Sequence, residues 1–539
     1  MTLELGDWEV WHCYSSYVVN DLPDLSEVGR RIVESGVVEL AALNGDTHWF
    51  RRGGNVQRVE IEVTREGSAP RGTFKMPTGL DSYQMECALE AVWLDTQERF
   101  LASRSARPSL RGFMQRCRLE FGTWAVELYP HVKFYEDGII LLTLRVRSGQ
   151  GTYECAEFVR EQVNLFLHDA TAVWLPPRVF RAYAMARVPE RLSEIWRVSS
   201  YLKRLEDWLR ENSRVDDQTD FPVELVQIVG NYDLAADHGG KTYTLRVLAS
   251  ILEHAVHGAI RGKSSVWGTV RAKRSSVQWG GSWAGRPSIY LISFDHQSSD
   301  SKSSVQRFKQ DLAGVMLRTK PPPVLETESV LGEDLRLFSD YSLFVSRELS
   351  LWVFGSKHAG SSSRGENWAS ILYDKQVQAE LIDYRYAAHR RLEERSRNLR
   401  LSLRQVLDED ERVADVERLV ESSDFGELNR LVQSADDALG LDRIRKRTQE
   451  NLRRRAMIAE DARERSARRF EWLLTILIAV IGLPSLAEFL KPSVDQPLQR
   501  LGVSPKAEGL WIWLGTAVVL IVLVVVLRRV TTRAAHTRF

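Results

Sequence analysis

The chain has 539 residues, of which 73 are lysine or arginine and 72 are aspartate or glutamate, giving a net charge of +1. This net charge excludes a protein that is strongly basic or strongly acidic throughout. It is an average over segments of unlike charge. Cys13, Cys87, Cys117 and Cys155 lack the paired spacing of metal ligands, so we expect reduced thiols and no structural disulfide.

Residues 1–150 alternate between helical and extended patterns and predict an α+β domain. The predicted helices are Leu25–Ser35 and Tyr83–Arg104, and the predicted strands are Val37–Leu43, Val59–Val63, Trp124–Tyr129, Val132–Phe134 and Gly138–Arg147. The last strand is the strongest in the chain, and Glu136-Asp137-Gly138 before it is typical of a hairpin turn.

Residues 151–325 form a second α/β-type domain or subdomain, and residues 326–366 a strand-containing connector. The predicted helices are Tyr153–Asp169, Pro189–Asn212 and Tyr243–Arg261, and the predicted strands are Val223–Val229, Ser288–Phe294, Leu335–Val345 and Ser350–Phe354. Three prolines at 321–323 favour a rigid, extended boundary.

Residues 367–470 are helical almost throughout and predict a helical stalk. Helices are expected over Gln376–Leu407 and Arg412–Leu439, with a turn at Asp408–Glu411 between them and Gly440 as a stop. A third helix begins at Leu441. Its first 30 or so residues span about 45 Å and are polar, so it needs supporting helices or copies of itself in a coiled coil.

Two apolar segments, Trp472–Leu490 and Leu510–Leu527, predict two C-terminal transmembrane helices over residues 471–527. Arginines precede the first segment and continue in a basic tail over 528–539, while the connecting loop carries few. This distribution predicts a multi-pass protein of the inner (plasma) membrane, with both termini and the α+β head in the cytoplasm and the lipid bilayer as a partner.

This order of elements resembles the CorA family of divalent-cation channels over roughly the last 170 residues. The resemblance implies a homo-oligomer of five subunits in which the first spans line a pore. The family's Gly-Met-Asn triplet is absent, because Phe489-Leu490-Lys491-Pro492-Ser493-Val494 stands at that place. No cofactor is predicted, with a divalent cation as the alternative that the family suggests.

A stripe of small or hydroxyl side chains on the first segment is the candidate pore lining: Thr475, Ala479, Gly482 and Ser485, followed by Glu488. Glu488 is the one acid within either segment, and a ring of such acids attracts cations. The alternative is close packing between helices, which the same small residues favour.

Gly239-Gly240-Lys241-Thr242 lies between a predicted strand and a predicted helix, as in a phosphate loop, with Lys241 and Thr242 as candidate ligands. Ala235 occupies the position of the first glycine of that motif. The alternative is an ordinary loop. His254 and His257 lie three residues apart on one predicted helix, but no third metal ligand accompanies them. No catalytic motif is present, so we expect no enzyme.

Between Arg261 and Arg286, cations alternate with tryptophans, as in sites for nucleotides or single-stranded nucleic acid. The candidate ligands are Arg271, Lys273, Arg274 and Trp279. The alternative is a hairpin whose tryptophans pack on a core.

Two functions follow from the sequence. The first is an oligomeric channel, transporter or ion-flux protein gated by its cytoplasmic head. The second is a membrane-anchored sensor or effector in signalling or defence, whose head binds a ligand or partner and whose helices anchor or perturb the membrane.

Overall fold

The computed structural model describes fifteen ranges of the chain and three single residues. These are 3–18, 24–65, 72–75, 78–102, 108–148, 152–187, 195–216, 223–228, 243–261, 279–293, 300–336, 341–355, 366–398, 401–421 and 426–500, with Leu510, Leu514 and Val518. The described part contains two compact units, Met1–Thr448 and Gln449–Phe539.

The described ranges contain eighteen strands. In chain order, β1 to β18 are Glu4–Leu5, Asp7–Val18, Leu40–Leu43, Thr47–Arg52, Asn55–Glu60, Glu62–Arg65, Gly72–Lys75, Ser109–Phe113, Cys117–Glu120, Ala125–Tyr135, Ile139–Arg147, Tyr153–Glu154, Ala172–Leu175, Ser213–Asp216, Val223–Ile228, Trp279–Ser293, Tyr341–Val345 and Ser350–Phe354.

The same ranges contain thirteen α-helices. In chain order, α1 to α13 are Leu25–Glu34, Ser82–Ala102, Cys155–Phe158, Pro177–Arg187, Ile195–Asn212, Leu245–Ile260, Ser301–Arg307, Lys309–Leu317, Thr327–Leu331, Glu366–Arg397, Leu403–Glu421, Gly426–Leu439 and Leu441–Arg500. A π-helical turn over Val159–Val163 and short 3-10 helices at Leu165–Leu167 and Val324–Glu326 complete the set.

Fourteen of the strands form one mixed sheet, in the order β14-β15-β13-β9-β10-β11-β2-β16-β18-β17, with β3, β4, β5 and β8 joined at its side through β8 and β10. All of these pairs are antiparallel except β16 with β18. The sheet joins strands from the three segments predicted as 1–150, 151–325 and 326–366. The predicted strand pair near residue 350 therefore returns to the same sheet as the first strands of the chain.

Helices cover both faces of the sheet. Trp8, Val10 and Tyr14 of β2 point to a core that also holds residues of α1, α4 and α6. Trp11, between them in sequence, points to the opposite face and packs with residues of α10. Strand β11 is buried along nearly its whole length, which explains why it reads as a continuous apolar run rather than an alternating one.

The predicted hairpin is confirmed by β10 and β11, whose turn residue Gly138 has a φ of 87°. The two strands predicted around Pro130 are one strand. Proline cannot donate to a ladder, but Pro130 lies between the stretch of β10 that pairs with β9 and the stretch that pairs with β8. The proline is tolerated because that side of β10 changes partner at this point.

The helices predicted over Leu25–Ser35, Tyr83–Arg104 and Tyr243–Arg261 are confirmed by α1, α2 and α6. The turn predicted at Asp408–Glu411 is wrong, because these acids lie inside α11. The chain breaks earlier, between α10 and α11, where Ser402 accepts a hydrogen bond from the Gln405 backbone and so caps the next helix.

Within the described ranges, no helix is both long enough and apolar enough to cross a membrane. This finding contradicts the predicted C-terminal transmembrane pair, the membrane channel and the multi-pass inner-membrane location. The uncharged stretch between Glu471 and Glu488 is only about 16 residues long, against the roughly 20 that a hydrocarbon core requires. Of the second predicted span, all but Leu510, Leu514 and Val518 lies outside the described residues, as does the predicted tail over 528–539.

Candidate functional site

Helix α10 is polar in sequence, yet most of its side chains between Leu372 and Ser396 are buried. Glu380 and Arg391 are each 1% exposed. Buried charges persist only where partners and hydrogen bonds compensate for lost hydration. The surroundings of α10 therefore form a charged layer inside the protein, which is the candidate functional site.

The first cluster of this layer surrounds Glu380. The Arg111 guanidinium of β8 donates to both of its carboxylate oxygens, through Nη1 at 2.8 Å and Nη2 at 2.5 Å. Lys133 Nζ of β10 lies 2.7 Å from the Glu98 carboxylate of α2 and 3.4 Å from Glu380. Two cations thus face two carboxylates, and the cluster joins the sheet to both α2 and α10.

The pKa values in this cluster follow from its geometry. Burial alone would raise the pKa of the Glu380 carboxyl, but Arg111 and Lys133 outweigh it and hold that pKa well below its usual value. His131 Nε2 lies 3.6 Å from Glu380, and burial lowers the pKa of His131 despite that neighbour. At neutral pH the histidine is therefore uncharged and the glutamate is ionised.

A second cluster surrounds Arg145 of β11. Its guanidinium donates to the Glu9 carboxylate of β2 at 2.6 Å and to Glu90 of α2 at 3.0 Å. Trp11 donates its indole N–H to Glu9 at 2.8 Å and presents its ring 4.6 Å from the Arg145 guanidinium. Burial opposes ionisation of Glu9, but Arg145 holds its pKa below the usual value.

A third cluster ties α10 to the β10–β11 turn and to α11. Arg391 donates to the Asp137 backbone carbonyl at 2.6 Å and to the Glu409 carboxylate at 2.5 Å. Glu409 also pairs with Arg395 at 2.9 Å, and the Tyr384 hydroxyl donates to Asp137 at 3.0 Å.

The fourth cluster, here called the four-helix hub, consists of Arg385, His389, Glu417, Asp436 and Arg445. Arg385 and His389 belong to α10, and both contact the Glu417 carboxylate of α11. Arg385 also pairs with Asp436 of α12. Arg445, in the first turns of α13, lies 3.0 Å from Glu417 and 3.8 Å from Asp436.

The hub is electrostatically strong. Burial would raise the pKa of Glu417, but hydrogen bonds from His389 and Arg385 hold it far below its usual value. Burial raises the pKa of Asp436 even though Arg385 is its partner. Two arginines thus share two carboxylates of unequal acidity, and the shared ligands connect four helices.

None of the four thiols offers a reactive nucleophile. All are free and buried, and burial is the largest cause that raises the pKa of each. A thiol with a raised pKa stays protonated at neutral pH, and the thiolate is the reactive form. The chemistry of the charged layer is therefore that of ion pairing rather than of thiol catalysis.

The predicted pore-lining residues lie along α13. Thr475 is exposed and donates its hydroxyl to the Glu471 carbonyl at 2.8 Å, and Glu488 is exposed. Ala479, Gly482 and Ser485 belong to the same helix, but their side chains lie outside the described part of the structure. The pore that these residues were predicted to line depended on spanning helices, which the structure contradicts.

The predicted ligand residues Lys241, Thr242, Arg271, Lys273 and Arg274 lie outside the described residues. Trp279 begins β16, where its backbone pairs with Val18, and its side chain is not described.

The elements around the glycine-lysine-threonine stretch differ from a phosphate loop. β15 is antiparallel to both neighbours, and α6 begins only at Leu245, with Thr244 as its N-cap. In a phosphate loop the lysine and threonine open the helix itself.

His254 donates its Nδ1–H to the Ser250 backbone carbonyl at 2.7 Å and lies 3.4 Å from the Ser250 hydroxyl, so an ordinary helical hydrogen bond occupies its Nδ1. Across the described ranges, no group of three or more His, Cys, Asp or Glu side chains is arranged to hold a metal ion.

The charged layer was not predicted from the sequence. A usable signal was present on the strands, where Lys133, Arg145 and Arg147 interrupt otherwise apolar runs. A cation on a strand buried on both faces requires a buried acid opposite it. Glu380 and Glu90 are such acids, but each lies on a helix whose packing against these strands cannot be deduced from local sequence spacing.

No protein-family model, characterised protein or solved structure is detectably similar to this chain. The resemblance of the head and long helix to the CorA family therefore stays a prediction, which rests on the order of the elements alone.

Proposed function

We propose that this chain is a non-enzymatic sensor or effector of the signalling type. Its head, the unit Met1–Thr448, binds a ligand or partner, and the charged layer carries the resulting change to the first turns of α13. The observation that supports the proposal is the four-helix hub, in which Arg445 of α13 shares Glu417 and Asp436 with Arg385 of α10.

The hub suits this role because its ligands are shared. Arg385 and Arg445 each approach both carboxylates, so a small shift of α10 changes which arginine holds which acid. In a low-dielectric interior such exchanges have large energies, and they favour discrete alternatives over gradual movement. Helix α10 is itself held to the sheet through Glu380, so displacement of the sheet is passed to the hub along one rigid helix.

The coupling is tested by a double-mutant cycle between Glu380→Gln and Glu417→Gln. The measured quantity is the hydrogen-exchange protection of residues 441–448, compared among the wild type, both single variants and the double variant. We expect each single change to lower protection there and the pair to deviate from additivity by more than about 0.5 kcal/mol, since coupled sites show energies of 0.5–3 kcal/mol.

Asp415→Asn is the matched control. Asp415 lies on the same helix as Glu417 but is exposed and pairs with Arg418 three residues away, so its change should leave residues 441–448 as they are. Additivity of Glu380→Gln and Glu417→Gln within about 0.3 kcal/mol would contradict transmission through α10.

The ligand class is a separate part of the proposal. The ligand that we propose is a nucleotide or single-stranded nucleic acid, for which an ordinary loop and a packed hairpin are the alternative interpretations of the sequence. ATP or GTP binding compared between the wild type and Lys241→Ala tests it. A homo-oligomer also belongs to the proposal, because a polar helix of this length requires partners. Sedimentation of the full chain tests that part.

A further inference from the structure

Two arginines converge on a glycine at one edge of the head. Arg51 is the last residue but one of β4, Arg178 lies in the first turn of α4, and Gly36 follows α1. An added Cβ on Gly36 would lie 2.6 Å from Arg178 Cδ and 3.2 Å from Arg51 Nη1. Gly36 has a φ of 74°, a conformation in which other residues are strained. The missing side chain leaves room for both arginines over the same backbone.

The guanidinium groups of Arg51 and Arg178 form no ion pair with a described carboxylate. Across the described ranges, no carboxylate lies within ion-pair distance of either one, and the buried Nε of Arg51 has no hydrogen-bond partner. Burial lowers the pKa of Arg51, and the positive charge of Arg178 lowers it further. Glu39 and Glu34 act on Arg51 only from beyond ion-pair distance, so a ligand with a negative charge would supply the close partner that two neighbouring like charges need.

The nearby acids Glu39 and Glu206 form no ion pair with Arg51 or Arg178. Burial raises the pKa of Glu39, and Arg178 and Arg51 only partly oppose that rise. Glu206 is 2.7 Å from Arg181, the next arginine along α4. By contrast, Arg30 of α1 lies 2.8 Å from both Glu27 and Glu34. Unlike that ordinary surface arginine, Arg51 and Arg178 have no carboxylate within ion-pair distance among the residues that the structure describes, and Glu39 acts on both only from farther away.

We propose that Arg51, Arg178 and the backbone at Gly36 bind the phosphate group of a small ligand. Planar guanidinium groups pair with phosphate through two parallel hydrogen bonds, which lysine cannot reproduce. The N-terminal end of α4, where Arg178 lies, adds its own partial positive charge. The site goes beyond the proposed function, because none of its residues belongs to the charged layer on α10 or to the ligand residues predicted from the sequence.

Isothermal titration calorimetry with inorganic phosphate and, separately, with ATP tests the site in the full chain at low ionic strength. We expect the double variant Arg51→Gln/Arg178→Gln to weaken binding at least tenfold, and Arg30→Gln to bind as the wild type does. Arg51→Lys keeps the charge without the planar fork, so its affinity should lie between the two. Circular dichroism establishes that each variant is folded.

The two probes distinguish the source of the phosphate. Binding of inorganic phosphate shows that the phosphate alone suffices, and binding of ATP alone shows that a nucleoside is also required. Either result supports the site if the double variant loses it. Equal binding by the wild type and the folded double variant, or no binding of either probe by the wild type, overturns the proposal.

Discussion

Glu253 of α6 is a carboxyl group in the apolar layer between α6 and β2, where it is 7% exposed. Burial raises its pKa to about 8, and the neighbouring Ser16 hydroxyl and the charge of Arg246 only partly oppose this rise. The folded protein therefore holds this proton at neutral pH, whereas an unfolded chain releases it near pH 4.5.

The first prediction concerns this acid. A raised carboxyl pKa gives stability that is complete below about pH 4.5 and is lost as the pH rises towards 8. Glu253→Gln removes the titration, so at pH 8 it should raise the free energy of unfolding by roughly 2–4 kcal/mol. Urea unfolding between pH 5 and 8 measures this. Glu60→Gln, whose side chain is 76% exposed, should have no such effect.

The second prediction concerns Glu380. Its replacement by Gln leaves Arg111 and Lys133 to share the Glu98 carboxylate, so we expect a loss of about 3–5 kcal/mol in the free energy of unfolding. Glu86→Gln, which affects the half-exposed pair with Arg147, should cost less than about 1 kcal/mol. Similar losses in both variants would mean that Glu380 has no special role.

The same residues show what sequence can and cannot predict at this scale. Arg145 on an apolar strand signals a buried charge, because both faces of that strand are covered. Its partner Glu9 lies 136 residues away, and local spacing does not reveal a pair of that separation. Burial of the four cysteines, in contrast, agrees with the expected free thiols.

At the scale of elements, Gly440 is a sharp boundary between two helices. It has a φ of 66°, and α12 ends directly before it while α13 begins directly after it. The predicted stop at this position is confirmed. A Cβ here meets nothing within 4 Å, so a substitution is opposed by the backbone conformation alone.

The third prediction follows from that geometry. Gly440→Ala should lower the free energy of unfolding by about 1–2 kcal/mol, the cost of a left-handed conformation for a residue with a Cβ. Thermal unfolding of Gly440→Ala beside Gln433→Ala, an exposed change within α12, measures the difference. An unchanged midpoint for Gly440→Ala would show that α12 and α13 tolerate another junction.

Helix positions were easier to predict than helix environments. The periodic pattern of Gln376–Leu407 indicated a helix, and α10 and the start of α11 occupy that stretch. The prediction of a helical stalk did not include the burial of its arginines and glutamates, because composition reports polarity and not pairing. The acids at 408–411 suggested a turn, but Glu409 is 2% exposed and binds Arg391 and Arg395 from within a helix.

At the scale of the whole molecule, the large sheet makes Met1–Thr448 one compact unit. The sequence indicated many of its strands but not their order. Strand β2 pairs with β11 on one side and with β16 on the other. The second pairing joins residues more than 250 positions apart, and no local pattern encodes it.

The fourth prediction tests this unity. A fragment that ends at Ser148 retains β2 and β11 but loses β16, α6 and α10, so both faces of the central strands become exposed. We expect it to lack the near-ultraviolet circular dichroism of the full chain and to aggregate, since an uncovered apolar edge strand pairs with other chains. A monomeric fragment with cooperative unfolding would contradict this expectation.

The pairing of β2 with β16 also determines how late in synthesis β2 can complete its backbone pairing. Ribosomes add about 5–20 residues per second, so β2 leaves the exit tunnel tens of seconds before its second neighbour exists. During that interval one edge of β2 lacks its backbone partner, and Trp8 and Trp11, on opposite faces of the sheet, have only part of their final surroundings. We therefore expect the yield of folded protein in a cell to fall when synthesis slows between residues 18 and 279.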